Sequence, residues 1–589
     1  MPDYHAPVDD MVYLLEEIFK ADGVFAELPP YSEVNVDLAR TVLEEAGRLC
    51  SNVLRPINLS GDIEGCRLEN GVVTLPKGFK EAYKAFVEGG WPALSLEPEY
   101  GGQGLPRTIQ ILVDEMLSGS NLSFGLVAGL TRGAVETIEA HAPADIKSKY
   151  LPKMIEGTWS GAMALTEAQA GSDLGLLKTS AKPRGDGSYT ISGSKIFISS
   201  GDQDLTENVI HLVLARLPDA PPGSRGISLF LSPKFLVNED GTLGARNNVN
   251  VGSLEHKMGI HGHATCVMNY DDAQGWLIGE PNRGLNAMFT MMNAERLFVG
   301  VQGLGLGEAS YQTASAYAKE RKQGRVPGGK ETCTIIEHPD VRKMLLTMLS
   351  FIEAARALTV FTALEMDKEK THPDAEVRKT ATGLIALLTP VIKAAFTDFG
   401  FETTVLGQQV LGGHGYIREW GQEQFVRDAR IAMIYEGTNG IQAQDLVLRK
   451  LTLDAGAPVG TFFAFISETL AQAAGQPATA AIAQRLKTAF EQLQATTKKL
   501  QAGDFANATD QNGAANDYLR FFALVTFGWL WLRMALTTIA KGEAANSRDK
   551  RKLALAEFFT SRILPQTASL AEQIEAGSKP LMALESDAF

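Results

Sequence analysis

Cysteine is scarce in this chain: four among 589 residues, at Cys50, Cys66, Cys266 and Cys333. No two of them stand at a Cys-x-x-Cys spacing, so neither a zinc pair nor a dithiol redox pair is indicated. So few in so long a chain fit a reducing compartment and exclude a disulfide scaffold. Positive charge is also in short supply. Lys and Arg number 55 against 69 Asp and Glu, a formal net charge of −14. A surface of that sign excludes nucleic acid as the main partner, because phosphate backbones are held by excess cationic charge; a local basic pocket for a small phosphorylated ligand stays compatible. Long apolar runs are missing too. The longest lies between Arg520 and Arg533, about 12 residues, short of the ~20 that span a bilayer. The opening Met1-Pro2-Asp3-Tyr4-His5 has neither a basic segment nor an apolar one, so no signal peptide is expected. The expectation is a cytoplasmic protein with no membrane partner. No repeat with a period of 20–50 residues is found.

What is present is an ordinary globular composition, 45% hydrophobic and 21% charged, in a chain long enough for two to four domains. Apolar residues recur at helical spacing over Asp9 to Lys20 and Val36 to Val53. Gly89 to Pro106 breaks the pattern with Gly-Gly-Trp-Pro and Tyr-Gly-Gly-Gln-Gly, a loop by its turn residues. Helical spacing resumes near Thr108 and continues to Gly157. From Ser160 the texture changes to period two, in Tyr189–Ser199, Val209–Ala215, Gly226–Leu231 and Thr265–Tyr270. After Gly284 the chain reads helical to Leu451, interrupted by a Pro- and Gly-bearing surface loop at Arg325–Glu331. A shift at Asp454-Ala455-Gly456-Ala457-Pro458 marks a boundary before an Ala-, Gln- and Leu-rich helical region. The fold class predicted is α+β. It comprises an N-terminal helical domain (1–159), a small β-barrel-like domain (160–282), a helical bundle (283–452) and an additional C-terminal helical domain (453–589). Phe521 to Leu532, with Trp529 and Trp531, reads as a buried helix by its spacing and length.

Several segments carry chemistry. In Arg427-Asp428-Ala429-Arg430-Ile431-Ala432-Met433-Ile434-Tyr435-Glu436-Gly437-Thr438-Asn439 a lone glutamate sits between an apolar run and a glycine turn. A carboxylate drawn partly out of water there becomes a stronger base. Gly303-Leu304-Gly305-Leu306-Gly307 looks like half a dinucleotide fingerprint. It follows a helical stretch rather than a strand, so close helix packing explains it better. His256, His261 and His263 crowd into eight residues, but without acidic or cysteine partners at a metal-site spacing they read as structural.

Four sets of motifs, in order, resemble the acyl-CoA dehydrogenase family, flavoenzymes that desaturate acyl thioesters. They are Gly90-Trp91-Pro92-Ala93-Leu94 with Glu99-Tyr100-Gly101-Gly102-Gln103-Gly104; Ala164-Leu165-Thr166-Glu167-Ala168-Gln169-Ala170-Gly171-Ser172-Asp173 with Gly193–Ser199; Met258-Gly259-Ile260-His261-Gly262; and Gln409–Tyr416 with the Glu436 segment. The resemblance implies FAD, bound without a Rossmann fingerprint. It places Leu165, Thr166, Ser172, Phe197 and Ser199 at the cofactor, with Phe197 where the family often has Trp and Ser199 where Thr is commoner. It assigns Arg321, Gln409, Gly413 and Thr438 to the FAD as well, some reaching across a dimer. Ser172, Arg296, Tyr435 and Gly437 fall at the acyl-CoA. Glu436 is the implied base that removes the α-proton while the β-hydrogen leaves as hydride; Glu295 is the alternative base used in some branches. The implied partners are the acyl-CoA substrate, an electron-transferring flavoprotein, and a second copy in a homodimer or larger homo-oligomer. The extension past Leu451, with Asn293–Gly300 and Glu308–Gln312, looks most like the bacterial 3-methylmercaptopropionyl-CoA dehydrogenase type. A short acyl chain is expected; a medium- to long-chain fatty acyl-CoA dehydrogenase is the alternative. A flavin- and CoA-ester-binding protein without dehydrogenase activity is the reading from another class.

Overall fold

The structure, a computed structural model, describes residues 3–503, 505 and 507–589. It divides into two compact units. One comprises residues 1–45, 107–115 and 299–589; the other comprises 46–106 and 116–298.

The first unit is helical. It holds α1 (Val8–Tyr13), the start of α2 (Arg107–His141), most of α3 (Gly284–Glu320), α4 (Pro339–Thr371), α5 (Ala375–Leu411), α6 (Asn439–Asp445), α7 (Ala515–Lys541) and α8 (Ser547–Arg562). Asp9–Lys20, read as one helix, is α1 continued by a wider turn over Leu14–Ile18. The Gly303 stretch lies inside α3. A side chain on Gly300 or Gly303 would strike the α5 backbone at Ile392 or Phe396, and one on Gly400 would strike Gly303. These glycines therefore permit a close helix crossing, as their helical context suggested. Beyond Leu451 the added region is helical throughout its named elements, and the Phe521–Leu532 run is buried within α7. Trp529 Nε1 donates to Thr469 Oγ1 at 2.8 Å, and Trp531 Nε1 donates to the Ser350 carbonyl at 3.2 Å. Three helical stretches (Pro339–Thr371, Ala375–Tyr416 and Ala515–Ala544) are long and apolar enough to cross a membrane. Their apolar windows are 83%, 78% and 78% buried inside the protein. Counting unbroken apolar residues missed these stretches, because scattered polar residues interrupt them without lowering the average much.

This unit carries a dense buried charge network. The Arg356 guanidinium, 1% exposed, reaches Glu115 (2.6 and 2.9 Å), Asp10 (2.6 Å) and Glu308 (2.6 Å). Lys552 of α8 pairs with Asp10 and, at 2.7 Å, with Glu353. The C-terminal region is thus tied to α1 and α4 by ions that have left water and must be mutually satisfied.

The second unit combines helices with a sheet. Its strands are β1 (Trp159–Ala164), β2 (Ser180–Pro183), β3 (Tyr189–Ser199), β4 (Asn208–Arg216), β5 (Ile227–Pro233), β6 (Val249–Leu254) and β7 (Thr265–Ile278). The order is β6-β7-β3-β2-β4-β1, and β5 pairs with both β7 and β4. Those pairings close β7, β3, β2, β4 and β5 into a ring, the barrel-like feature expected. β1 joins β4 in parallel and is buried at all six positions. Its run Trp-Ser-Gly-Ala-Met-Ala holds no β-branched residue and mostly small ones, unlike the equally buried β4 and β5, which is why the strand pattern did not reveal it. Two hairpins, Arg67–Glu69 with Val72–Thr74 and Phe235–Val237 with Leu243–Arg246, also escaped the pattern because each arm spans only three or four residues.

Candidate active site

The residues singled out in the sequence fall into two groups, one on each unit. On the second unit, Leu165 and Thr166 follow the buried strand β1. The Thr166 carbonyl accepts from Ile196 N at 2.9 Å, which ties this segment to β3. Phe197 stands on β3 with φ +60° and is 60% exposed. A bulky residue in the left-handed region is strained and persists only where its surroundings enforce it. Two residues earlier on the same strand stands a buried lysine that ties it to the segment after β1. Lys195 Nζ, fully buried, donates to the Leu165 carbonyl at 3.0 Å and to Glu167 Oε1 at 2.8 Å. Glu167 also accepts from Thr179 Oγ1 (2.6 Å), Thr179 N (3.0 Å) and Lys178 N (2.7 Å). Burial works against charge on Glu167, but the Lys195 ammonium and these donors outweigh it and bring the carboxyl down to about 2. Burial likewise pulls Lys195 down to about 8 against the attraction of Glu167. At neutral pH both remain charged, and the pair holds Leu165, Glu167 and β3 in one frame. Ser199 is half-buried; Ser172 is exposed in a turn where Gly171 has open space around it.

The same unit carries Glu295 and Arg296. Glu295 is 3% exposed, and Gly133 sits so close that a methyl group there would come within 3.0 Å of its carboxylate. Arg296 donates to Asn293 Oδ1 at 3.3 Å and lies over the Phe289 ring at 5.9 Å. The three histidines go separate ways. His261 pairs with Asp62 at 2.9 Å, His263 is buried against the Ser123 carbonyl at 3.0 Å, and His256 is exposed. Burial, reinforced by Lys257, drives His263 down to about 3, so it stays neutral.

On the first unit, Glu436 is half-buried with φ +56°, followed by Gly437 at +87°. Two successive left-handed residues turn the chain sharply between Tyr435 and the start of α6. Thr438 caps α6, its hydroxyl accepting from Ile441 N at 3.3 Å. Tyr435 donates to Gln302 of α3. Gln442 Nε2 donates to the Glu436 carbonyl at 3.5 Å. Gln409 and Gly413 are exposed at the end of α5, where Gly412 and Gly413 have open space around them, and Arg321 is exposed just after α3. Sequence reasoning did not single out Lys195, Gln302 or Asn439. Their partners lie tens of residues away or more, although a lysine inside an alternating strand was a usable sign of a buried pair.

Four domain descriptions of one family match in series: the acyl-CoA dehydrogenase N-terminal domain over residues 40–158, its middle domain over 162–273, its C-terminal domain over 282–451, and an acetyl-CoA dehydrogenase C-terminal-like domain over 462–585. The chain belongs to the acyl-CoA dehydrogenase family and is an oxidoreductase. Within that family it is 42% identical to 3-methylmercaptopropionyl-CoA dehydrogenase of Ruegeria pomeroyi over 574 residues, 96% of this chain and 97% of that protein. Among solved structures, Caenorhabditis elegans ACDH-11 in complex with C11-CoA has a TM-score of 0.81 at 20% identity, over 99% of this chain and 96% of that one. An acyl-CoA dehydrogenase of Bacillus anthracis complexed with FAD has a TM-score of 0.72 at 21% identity, over 94% and 90% of the two chains. At these identities the structural likeness is one of fold.

Proposed function

We propose that this protein is an FAD-dependent dehydrogenase of a short acyl-CoA thioester, 3-methylmercaptopropionyl-CoA before others, acting in the cytoplasm as a homodimer or larger homo-oligomer. The observation that carries the substrate is the 42% identity to the Ruegeria pomeroyi enzyme over nearly all of both chains, the C-terminal extension included. The residues present suit FAD. Phe197 offers an exposed aromatic face on a braced strand, and Gly171, Gly412 and Gly413 leave their backbone open to close approach. Leu165, Thr166, Ser172, Phe197, Ser199, Arg321, Gln409, Gly413 and Thr438 would hold it. Arg321 is chemically fitted to a pyrophosphate, since one guanidinium can bridge two phosphate oxygens. When bound, the flavin supplies the acceptor for a hydride.

The chain's own residues supply the rest. Glu436 takes the α-proton, and the electron pair left behind forms the new double bond as the β-hydrogen departs with its two electrons. The backbone N–H of Glu436 donates to the thioester oxygen, which lowers the cost of charge developing there. The left-handed turn presents that N–H and the carboxylate from a single residue. Ser172, Arg296, Tyr435 and Gly437 contact the CoA ester. The electrons go on to an electron-transferring flavoprotein.

Anaerobic mixing of the purified protein with a panel of acyl-CoA esters tests this reading. Loss of the yellow flavin absorbance is expected to be fastest with 3-methylmercaptopropionyl-CoA and other short esters. A clear preference for long chains would overturn the substrate, and no bleaching with any ester would overturn the reaction. A second expectation concerns flavin retention. Lys195→Met leaves Glu167 as an uncompensated buried charge and releases the Leu165 carbonyl. The variant should purify with less than half the flavin per chain, read from the ratio of visible to ultraviolet absorbance, with its circular dichroism unchanged.

A further inference from the structure

The strained turn at Glu436 is anchored by a residue that no motif singled out. Asn439 is the first residue of α6, three positions after Glu436. Its side-chain carbonyl accepts from Lys393 Nζ at 2.9 Å and from Thr397 Oγ1 at 3.3 Å. Its amide donates to Asp398 Oδ1 at 2.7 Å, to Thr397 Oγ1 at 3.0 Å and to the Ala394 carbonyl at 3.2 Å. All of these partners lie on one stretch of α5. Lys393 is fully buried. Around Asp398 stand Arg520 of α7 and Glu402 of α5, themselves paired at 2.8 Å. Burial raises the Asp398 carboxyl above its usual range, with the hydrogen bond from Asn439 and then the Arg520 charge opposing.

The chemistry of this position is narrow. A side-chain amide presents an acceptor to a lysine and two N–H donors, one of them to a carboxylate, at once. A carboxylate at 439 would repel Asp398, and an apolar group would leave Lys393 and Asp398 without that bridge. We infer that Asn439 is a positioning residue for dehydrogenation: by bridging Lys393 and Asp398 it clamps the Glu436–Thr438 turn to α5 and fixes where the Glu436 carboxylate meets the substrate α-carbon. This rests on the reading of Glu436 as the base. A displacement of about 1 Å at a reacting group can cost ~10²-fold in rate, so the clamp acts on the chemical step rather than on CoA binding.

The test compares Asn439→Asp, Asn439→Ala, the exchange Asn439→Asp with Asp398→Asn, and Glu436→Gln. Steady-state kinetics are combined with deuterium incorporation at the α-carbon of acetyl-CoA in heavy water. That ester has no β-carbon, so the exchange reports the base without hydride transfer. Asn439→Asp is expected to lower kcat and the exchange rate by ~30–100-fold, with KM within about threefold and flavin content unchanged. The exchange variant restores an amide and a carboxylate facing each other and should recover most of both rates. If Asn439→Asp does not fold, Asn439→Ala is read in its place and should show the same split between kcat and KM. Overturning the clamp would take near-normal kcat and exchange in the Asn439 variants while Glu436→Gln is inactive, or a loss that falls on KM alone. Turnover and exchange that survive Glu436→Gln would instead remove the base reading itself, so the two failures are distinguishable.

Discussion

Glu436→Gln is expected to reduce turnover by about 10²–10⁴-fold, the usual contribution of a positioned general base, while flavin content and thermal stability stay near those of the parent protein. The substitution is nearly isosteric and removes only the proton-accepting oxygen. The turn should survive it. The Thr438 cap, the Tyr435–Gln302 bond, the hydrogen bond from Gln442 to the Glu436 backbone carbonyl and the Asn439 contacts to α5 flank its left-handed residues Glu436 and Gly437, and none of them uses the carboxylate. The backbone N–H also remains, so a substrate thioester should still bind with similar KM. Glu295→Gln provides the contrast. Glu295 is nearly fully buried beside Gly133 on the other unit, and its replacement is expected to leave turnover within a few-fold. Stopped-flow bleaching by a short acyl-CoA separates the two variants directly. If the loss appears in Glu295→Gln and not in Glu436→Gln, the roles must be exchanged.

Arg356→Met should have the largest effect on stability. Arg356 is the shared cation for Asp10, Glu115 and Glu308, all within 2.6 Å of its guanidinium nitrogens. Removing one partner of a buried ionic cluster costs ~3–5 kcal/mol, because the charges left behind are neither solvated nor neutralised. The loss should appear as a markedly lower Tm. The network also predicts a pH dependence in the parent protein. Burial, only partly offset by Arg356, pushes the Glu115 carboxyl up to about 7 from an ordinary 4.5. The folded state therefore binds a proton at Glu115 more tightly than the unfolded chain does. That contribution is complete below pH 4.5 and is lost as pH rises through 7. Glu115→Gln should flatten this part of a Tm-against-pH curve. In Arg356→Met the deficit should shrink toward acid pH, where the orphaned carboxyls take up protons. A deficit independent of pH would mean that lost packing, not charge, dominates.

Much of the fold was legible because it is written in local periodicity. Helical spacing marked the N-terminal region, the long helices of the bundle and the C-terminal region, and alternation marked β3, β4, β5 and part of β7. The failures have physical causes. β1 is made mostly of small residues with none β-branched, and the two hairpins are too short to establish a period. The apolar helices α4, α5 and α7 meet a length-and-composition test for membrane spans, yet most of their apolar surface is covered by protein. Burial depends on what packs against a helix, which no window of sequence contains.

The same division holds for the site. The residue types at Glu436, Gly437 and Thr438, and the motif around Leu165, Thr166 and Ser172, stand in contiguous stretches, so the family could be read from the linear order alone. The groups that restrain those stretches are distant in the chain. Lys195 meets Glu167 28 positions away, Asn439 meets Lys393 46 positions away, and Arg356 meets Asp10 346 positions away. A hydrogen bond or ion pair of this kind forms only when the backbone brings donor and acceptor within about 3 Å, and its strength depends on how much water packing removes. Sequence by itself determined which reactive groups this protein owns and the order in which they occur. Tertiary structure decided which polar groups are withdrawn from solvent, who partners them, and hence how firmly the reactive ones are held.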